Sequence, residues 1–229
     1  MIPRVLETEV MDTAQEAQDY DSMDHADVNA RFSDDFAAFA GVRKLVLDVG
    51  TGTARIPILI CSRAVDTRCV AMDLADEMLA LARANCEHAG LAERIVLAKE
   101  DAKGMSFAGA TFDAVVSNTI LHHIPEAEPA LHEMWRVLKP KGALFVRDLA
   151  RPESLTELAA LVELYAAAPP ADDARVLARH RRQRALFEAS LHAGLRVDEM
   201  RAIVERIGMP ASAVQMTSDR HWTLAHVKP

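Results

Sequence analysis

A glycine turn after a short apolar segment most constrains what this chain can fold into. Residues 45–49 are apolar except for Asp48, and Gly50 and Gly52 follow them directly, ahead of a segment that suits a helix. A residue without a Cβ can adopt positive φ and lets a ligand approach the backbone closely. The pattern predicts a strand that ends in a tight, ligand-contacting turn, although glycine pairs also occur in ordinary turns. A dinucleotide-binding turn would have a third glycine where this chain has Arg55, so the spacing disfavours an NAD site.

Polar residues also end three further predicted strands. They are Asp73 after residues 68–72, Asp101 after residues 95–98, and Asn118 at the end of residues 112–118. In open α/β sheets ligands bind at the carboxyl ends of the strands, so these residues and Asp48 are expected to converge on one crevice. Asp73 is placed to accept hydrogen bonds from ribose hydroxyls. A capping or turn role remains the alternative for each residue.

A further region makes the sequence similar to a known enzyme family. Residues 118–125 contain a Leu-His-His turn, and residues 134–146 continue through Leu-Lys-Pro-Lys-Gly into a predicted fifth strand. Together with the acid-x-Gly-x-Gly turn, they resemble the ubiquinone/menaquinone-type group of class I S-adenosylmethionine-dependent methyltransferases, over roughly residues 40–150. Lys141 replaces a usual glycine, and Gly142 is expected to supply the permissive residue before the strand.

The resemblance implies an α/β fold with a Rossmann-like, seven-stranded, mostly parallel sheet, helices on both faces and an antiparallel last strand. Residues 1–40 are expected to form an N-terminal helical lid and residues 41–150 the cofactor-binding core. Residues 151–229 would form a helical cap and C-terminal strands that complete the same domain. Half of the 229 residues are apolar, which suits one such domain.

The resemblance also implies S-adenosylmethionine as the cofactor. The glycine turn would wrap its methionine and ribose, Asp101 would bind the adenine amino group with the Ala102 amide near the ring, and Asn118 would lie where cofactor meets acceptor. The expected cofactor-binding residues are Asp48, Gly50, Thr51, Gly52, Asp73, Leu74, Asp101, Ala102 and Asn118.

The methyl acceptor is expected to be a small molecule. Residues 20–23 have the Tyr-Asp-x-Met sequence that closes the site in resembling enzymes, with packing of an N-terminal helix as the alternative. Two arginines and an acid follow the fifth strand, where guanidinium groups suit an anionic or polar acceptor and a surface ion-pair network is the alternative. The expected acceptor-binding residues are Tyr20, Met23, Arg147, Asp148, Arg151 and His221.

Catalysis by such a protein needs few groups. A sulfonium methyl is already activated, so the protein mainly holds the acceptor in line with it. Where a proton has to leave, His122 or His123 can act as base, because imidazole titrates near neutral pH. Adjacent residues in a turn generally point apart, so only one of them, His123, is expected in the site. A structural role for both is the alternative.

Composition limits the partners. A formal net charge of −8 disfavours nucleic acid, and the basic run at residues 179–184 has acidic neighbours that suit a solvated helix face. Three cysteines without a C-x-x-C spacing favour neither disulfides nor zinc, and a cytoplasmic protein is expected. No spacing matches a recognised metal site, so no metal is predicted, while metal dependence stays open. Neither a membrane span nor a signal peptide is predicted, and oligomeric state has no signature in the sequence.

Two other function classes stay open on the sequence alone. A protein that binds S-adenosylmethionine without catalysis, as a scaffold or regulatory partner, would keep the same motifs. A nicotinamide oxidoreductase is the third class, and the position of Arg55 argues against it.

Overall fold

Parallel strands joined by helices form the centre of the protein. The computed structural model describes residues 1–7, 13–22, 26–168 and 173–229. The strands are β1 (Leu45–Val49), β2 (Arg68–Asp73), β3 (Ile95–Lys99), β4 (Phe112–Asn118), β5 (Leu138–Leu149), β6 (Val214–Met216) and β7 (His221–Val227). The helices are α1 (Ala14–Asp21), α2 (Ala26–Ala40), α3 (Arg55–Arg63), α4 (Asp76–His88), α5 (Ala127–Val137), α6 (Leu155–Tyr165), α7 (Ala174–Ala193) and α8 (Val197–Arg206).

The strand order within these residues is β3-β2-β1-β4-β5-β7-β6. The pairs from β3 across to β5 are parallel, and β7 runs antiparallel to both β5 and β6. The predicted fold class is therefore confirmed. The chain leaves β1 towards one side of the sheet and β4 towards the other, which is the point where open α/β sheets bind ligands.

Apolar layers cover the two faces of the sheet. On one face Leu47 and Trp222 are buried together with side chains of α5 and α8. On the other face Val46 and Phe145 are buried against α2, α3 and α4, and Phe32 of α2 is fully buried. Val46 and Leu47 enter opposite layers because successive strand residues point to opposite faces. Burial of each such side chain stabilises the fold by about 1.5–3 kcal/mol.

Residue 141 departs from the expectation for the turn before β5. Lys141 itself adopts the left-handed conformation, with φ of 63°, while Gly142 does not. The pairing of β4 with β5 shifts register here. A Cβ on Gly142 would come within 2.6 Å of the Leu138 side chain. The glycine is therefore needed for close packing, and the lysine supplies the turn.

The N-terminal region contains a strap and two helices. Residues 1–7, which we call the N-terminal strap, have no regular secondary structure. Arg4 fixes the strap by donating hydrogen bonds to the carbonyl oxygens of Leu121, His122, Ile124, Pro125 and Ala193. Helix α1 packs Ala17 against Ala75 and Met78. The strap thus binds a turn near the sheet edge, and α1 lies beside α4.

The basic run at residues 179–184 lies within α7. Arg182 pairs with Asp19 of α1 at 2.8 Å, and Arg184 pairs with Glu163 of α6 at 3.0 Å. Part of the run therefore connects helices. In the described ranges, every helix is too short or too polar to cross a membrane.

Candidate active site

An open crevice of about 780 Å³ lies at the carboxyl edge of the sheet, beside the β1–β4 switch point. The ends of β2 and β4, the glycine turn after β1 and the segment after β3 form its walls. Its lining includes these expected cofactor-binding residues: Gly50, Gly52, Asp73, Leu74, Asp101, Ala102 and Asn118. The other two, Asp48 and Thr51, line an adjoining cavity on the far side of the turn. Strands that are distant in sequence thus bring the predicted residues together.

The glycine turn fits tightly against its neighbours. Gly50 has φ of 71° and Gly52 has φ of 54°. A Cβ on Gly50 would overlap the side chain of Ile120. The Gly52 amide donates to Oδ2 of Asp73 at 2.8 Å, and the Ala75 amide donates to Oδ1 at 3.0 Å. Asp73 therefore holds the glycine turn and the segment ahead of α4 while it lines the crevice. The start of α4 has no side-chain cap, so Asp73 has the turn role rather than the capping role.

Asp48 is buried beneath the turn, with only 1% of its surface exposed. No described residue lies within hydrogen-bond distance of its Oδ2 atom. Burial raises the pKa of Asp48 to about 7, and the nearby Thr51 hydroxyl acts in the opposite direction. A buried carboxylate oxygen beside a cavity needs a donor or a cation. Asp48 is therefore suited to receive a positively charged ligand group.

Asp101 and Asn118 both line the crevice. Burial alone would raise the pKa of Asp101, but hydrogen bonds from the Lys103 amide and ammonium hold it below its usual value. Asn118 lines the crevice and both neighbouring cavities. Its Oδ1 atom is buried and has no hydrogen-bond partner in the described part of the chain. Both polar groups can therefore accept hydrogen bonds from a ligand.

Strained backbone follows β4 directly. Thr119 has φ of 57°, a conformation that β-branched residues rarely adopt. Its amide donates to the carbonyl oxygen of Arg147 at 2.8 Å. Such a residue costs of the order of 1–3 kcal/mol and persists only where its surroundings hold it. Here it directs the chain into the His122–His123 turn.

A second space, which we call the side cavity, opens beside the crevice and has about 840 Å³ of empty space, including the part open to solvent. It shares Tyr20, Asn118, Thr119 and His123 with the crevice. Its remaining wall consists of Glu7, Val28, Asn29, His122, Leu149, Gln183, Leu186, Phe187, Ser190, Arg220 and His221. Part of this wall is apolar, with Leu149, Leu186 and Phe187, and part is polar, with Arg220 and His221. Such a wall suits a small amphipathic ligand.

Tyr20 of α1 lines the crevice, the side cavity and the cavity below the turn. Burial raises its pKa to about 12, and the carboxylates of Asp73 and Asp48 add to this. Asp21 forms a 2.9 Å ion pair with Arg55, which ties α1 to the start of α3. Met23, the other expected lid residue, lies outside the described residues.

The arginines after the fifth strand do not reach the crevice or the side cavity. Arg147 donates to Thr223 at 2.9 Å and to Asp35 at 2.7 Å, and lies near the rings of Phe32 and Phe145. Arg151 is buried and pairs with Glu199 at 2.6 Å. The expectation that they bind an acceptor is corrected for a simple reason. Strand β5 extends to Leu149, so Arg147 lies within the sheet, with its side chain on the face covered by α2.

Asp148 is buried behind the histidine turn and does not line the side cavity. It accepts hydrogen bonds from the amides of Leu121 and His122, and its Oδ1 lies 2.6 Å from His122 Nδ1. Burial opposes its ionisation, yet His122 and these amides hold the pKa of Asp148 below its usual value. Asp148 is thus a positioning residue for the turn, a correction of the acceptor-binding role.

Both histidines border the side cavity. Their ring centroids lie 4.1 Å apart, so the expectation that they point apart is wrong. Burial lowers the pKa of His122, but the attraction of Asp148 outweighs it and the net direction is upward. Burial and the neighbouring His122 lower the pKa of His123 to about 3. His221 lies across the cavity, and burial lowers its pKa to about 4.

Glu7 is a site residue that no motif indicates. The strap places its Oε2 atom 3.7 Å from His123 Nδ1. Arg220 is a second such residue, and its guanidinium lies 3.3 Å from the centre of the Tyr165 ring at the cavity wall. Neither residue follows a strand or forms part of a spaced pattern, so the sequence held no signal for them.

Comparison with known proteins agrees with this geometry. Residues 46–142 match the family model described as "Methyltransferase domain". This part of the chain is thus similar to a methyltransferase domain. The demethylmenaquinone methyltransferase of Bacteroides fragilis is 32% identical over 108 residues, 47% of this chain and 44% of that protein. The Thermus thermophilus enzyme of the same name is 37% identical over 109 residues, 48% of this chain and 49% of that protein.

The chain thus spans about half the length of these curated relatives. A crystal structure of an S-adenosylmethionine-dependent methyltransferase from Aquifex aeolicus covers 95% of this chain and 99% of its own length. Its TM-score is 0.66 at 17% sequence identity. The similarity of fold therefore extends beyond residues 46–142, to the helices and strands on either side.

Proposed function

We propose that this protein transfers the methyl group of S-adenosylmethionine to a small-molecule acceptor. One observation carries the proposal. A crevice built from the glycine turn and the strand-end acids joins a second cavity, and His123 lies on the wall of both. Two connected spaces of this kind suit a reaction between a nucleotide-like cofactor and a separate small molecule.

The residues of the crevice fit S-adenosylmethionine. Its sulfonium centre supplies an activated methyl group, so the protein has to bind, orient and shield the reactants. The buried Asp48 oxygen without a partner suits its positive charge, and the carboxylate of Asp73 suits the ribose hydroxyls. Asp101 and the Ala102 amide would hold the adenine. Because Gly50 has no Cβ, the turn can pack closely against Ile120, which also lines the crevice.

The side cavity is the proposed acceptor site. Leu149, Leu186 and Phe187 offer an apolar wall, and Arg220 and His221 offer polar groups across from it. Since relatives of the domain act on demethylmenaquinone by name, aromatic quinol-type molecules are the first acceptors to test. We assign His123 to the reacting end of the acceptor, because it borders the cofactor crevice as well.

The proposal keeps the N-terminal region as a lid over the core of residues 41–150, with residues 151–229 as cap and final strands. Tyr20 on α1 supports this, because it contacts every cavity of the site. The proposal also keeps a cytoplasmic location, supported by three cysteines that are free in the structure. A role without nucleic acid remains a prediction from the acidic net charge.

Calorimetric titration tests the cofactor first. S-adenosylmethionine and S-adenosylhomocysteine are expected to bind in the micromolar range, and NADH is expected not to bind. Turnover is then followed as release of S-adenosylhomocysteine with a panel of quinols, phenols and carboxylic acids. Failure to bind either sulfur compound would refute the proposal, and NADH binding would revive an oxidoreductase. Binding without turnover on any acceptor would instead favour a non-catalytic scaffold or regulatory protein.

A further inference from the structure

Three side chains able to ligate a metal ion meet at the wall of the side cavity. One ligand atom each from Glu7, His122 and His123 lie within 4.8 Å of one another. The set comprises two imidazoles and one carboxylate, the ligand types of catalytic zinc sites. Small movements of the side chains can bring atoms at this separation to coordination distance, since metal–nitrogen bonds are about 2.0–2.1 Å.

Asp148 already holds one of these side chains, the imidazole of His122, in an orientation that suits a metal ligand. His122 Nδ1 lies 2.6 Å from Oδ1 of the buried Asp148. A carboxylate that accepts the Nδ1 proton leaves Nε2 with its lone pair available for a metal. Metal-ligating histidines almost always have such a partner, which fixes the tautomer and the ring orientation. Asp148 is itself fixed by backbone amides of the turn and of β5.

Two of the three ligands carry buried atoms that lack a partner. Within the described residues, neither His123 Nδ1 nor Glu7 Oε1 makes a hydrogen bond that meets normal geometry. The acid and the imidazole approach to 3.7 Å without forming a hydrogen bond. Buried polar atoms are nearly always satisfied, so two of them converging on one point indicate a missing partner.

Glu7 reaches this point because the strap is anchored. Arg4 donates to the carbonyl oxygens of residues 121, 122, 124 and 125, in the same turn that carries the histidines. The Val5 amide donates to the carbonyl oxygen of His192 at 3.2 Å. The positive charge of Arg4 opposes a cation nearby, whereas Glu7 and Asp148 favour one. Since Arg4 directs its donors to carbonyl oxygens, the two carboxylates remain available to balance a divalent ion.

We propose that Glu7, His122 and His123 bind a divalent transition-metal ion of the zinc type, with Asp148 behind His122 and an open coordination position towards the side cavity. Imidazole ligands suit zinc, cobalt, nickel or iron(II) better than magnesium or calcium, which prefer oxygen ligands. Three protein ligands leave a fourth position for water or a ligand, as in catalytic sites.

The ion also narrows the class of acceptor, and this step rests on the proposed function. A divalent metal lowers the pKa of a hydroxyl bound to it. An acceptor with a phenolic, enolic or catecholic oxygen could bind the open position as its anion. That oxygen, or a carbon conjugated with it, would then bond to the methyl carbon as the carbon–sulfur bond breaks, and S-adenosylhomocysteine leaves as the neutral thioether. The hydroxyl proton passes to solvent when the oxygen binds the ion, and a methylated ring carbon would lose its own proton afterwards.

Cobalt binding tests the site directly. Tag-free, full-length protein is stripped with a chelator, dialysed and titrated with Co²⁺, and the visible ligand-field absorption is recorded. The wild type is expected to bind one equivalent, which Zn²⁺ displaces. Glu7→Gln and His123→Ala should each weaken Co²⁺ binding by at least tenfold, and Asp148→Asn by about 10- to 100-fold. His132→Ala, at an exposed position on α5, is the matched control and should bind as the wild type does.

Parallel measurements separate the possible failures. Circular dichroism and thermal unfolding establish that each variant is folded. Absence of one-to-one Co²⁺ binding by the wild type, or undiminished binding by folded Glu7→Gln and His123→Ala, would overturn the metal site. S-adenosylhomocysteine binding is titrated on the same samples. Its absence, with Co²⁺ bound, would refute the proposed function and leave the metal site standing.

Discussion

The two halves of the candidate site are built in different ways. In the cofactor half, Asp48, Asp73 and Asp101 lie at or near the carboxyl ends of consecutive parallel strands. In the acceptor half, the wall comes from the strap, α7, the β6–β7 connection and the turn after β4. The sheet alone therefore assembles the first half, while the second half needs contacts between segments at both ends of the chain.

This difference separates features that this chain shares with related proteins from features of this chain alone. Strand ends are positioned by a fold that this chain shares with a solved methyltransferase structure, so the cofactor half follows from that fold. Glu7, Gln183 and Arg220 come from outside the matched residues 46–142. The acceptor half is thus where this chain differs in chemistry, and mutations in the two halves should affect different measurements.

The largest expected effect is on the glycine turn. Gly50→Ala should weaken S-adenosylhomocysteine binding by about 2–4 kcal/mol, because a strained φ and an overlap with Ile120 add together. Gly90→Ala is the control, since Gly90 has φ of 67° but open space around its Cβ position. It should lower thermal stability without changing affinity. Equal losses of affinity in both variants would mean that the turn does not contact the cofactor.

Asp73→Asn tests the strand-end acids. Loss of a charged acceptor should weaken cofactor binding by about 1–3 kcal/mol in calorimetry. Asp76→Asn, three residues further on, removes only an exposed ion pair with Lys99 and should leave affinity unchanged. Wild-type affinity in Asp73→Asn would remove this residue from the cofactor half.

Asp48 should make cofactor affinity depend on pH. Its pKa of about 7 in the free protein should fall when a positively charged ligand binds, so binding releases a proton. Affinity for S-adenosylmethionine should then rise about tenfold between pH 6 and pH 8. Calorimetry in buffers of different ionisation enthalpy detects the proton, and Asp48→Asn should flatten the profile.

The same group predicts how stability changes with pH. Because the folded-state pKa lies above the unfolded value, the folded protein holds a proton that the unfolded chain has released. Asp48 should therefore lower the free energy of unfolding as pH rises from about 4 to about 7. A comparison of thermal unfolding for wild type and Asp48→Asn across this range isolates its contribution. Parallel curves for the two proteins would contradict the assignment.

Arg147→Met tests whether Arg147 belongs to the acceptor half or only stabilises the fold. The variant loses an ion pair with the half-exposed Asp35 and a hydrogen bond to Thr223, which should cost about 1 kcal/mol of stability. The acceptor KM should not change, because Arg147 does not line the side cavity. Arg220→Met is the counterpart that should raise KM. A raised KM in Arg147→Met would return that residue to the acceptor site.

The smallest expected effect concerns the attachment of α1. Arg55 and Asp21 form an ion pair that is partly exposed, so Arg55→Ala should weaken cofactor binding by about 1 kcal/mol at most. High salt should reduce the difference, since exposed charges are screened. Arg63→Ala removes a similar surface pair, with Asp34, away from the site. If Arg63→Ala weakened cofactor binding as much as Arg55→Ala does, the attachment of α1 would have no specific role in ligand binding.

The sequence predicted the cofactor half well because its signals are local. Strand β4 has the predicted bounds, and the acids predicted at the ends of the second and third strands line the crevice as expected. Short apolar runs that end in polar residues depend on a few neighbouring positions, so one sequence suffices to recognise them. The parallel order of the strands then follows from the family fold.

The rest of the site depends on tertiary contacts, which the periodicity of the sequence does not indicate. Arg147 and Arg151 were expected in the site, but β5 extends past the predicted end and tertiary partners use both guanidinium groups. Helix α7 has a polar run at residues 179–184, which interrupts its apolar period. Glu7 acquires its position only through the hydrogen bonds of Arg4, a relation between distant parts of the chain.

The anchoring of the strap has a consequence for how the protein is made. Arg4 bonds to carbonyl oxygens at residues 121–125 and at Ala193. The strap therefore cannot reach all of its final partners until synthesis has passed Ala193. Contacts this distant in sequence form late, because a long loop has to close first. The nascent chain can thus form the parallel strands β1–β5 and the cofactor crevice before the strap docks, so the acceptor cavity takes shape last.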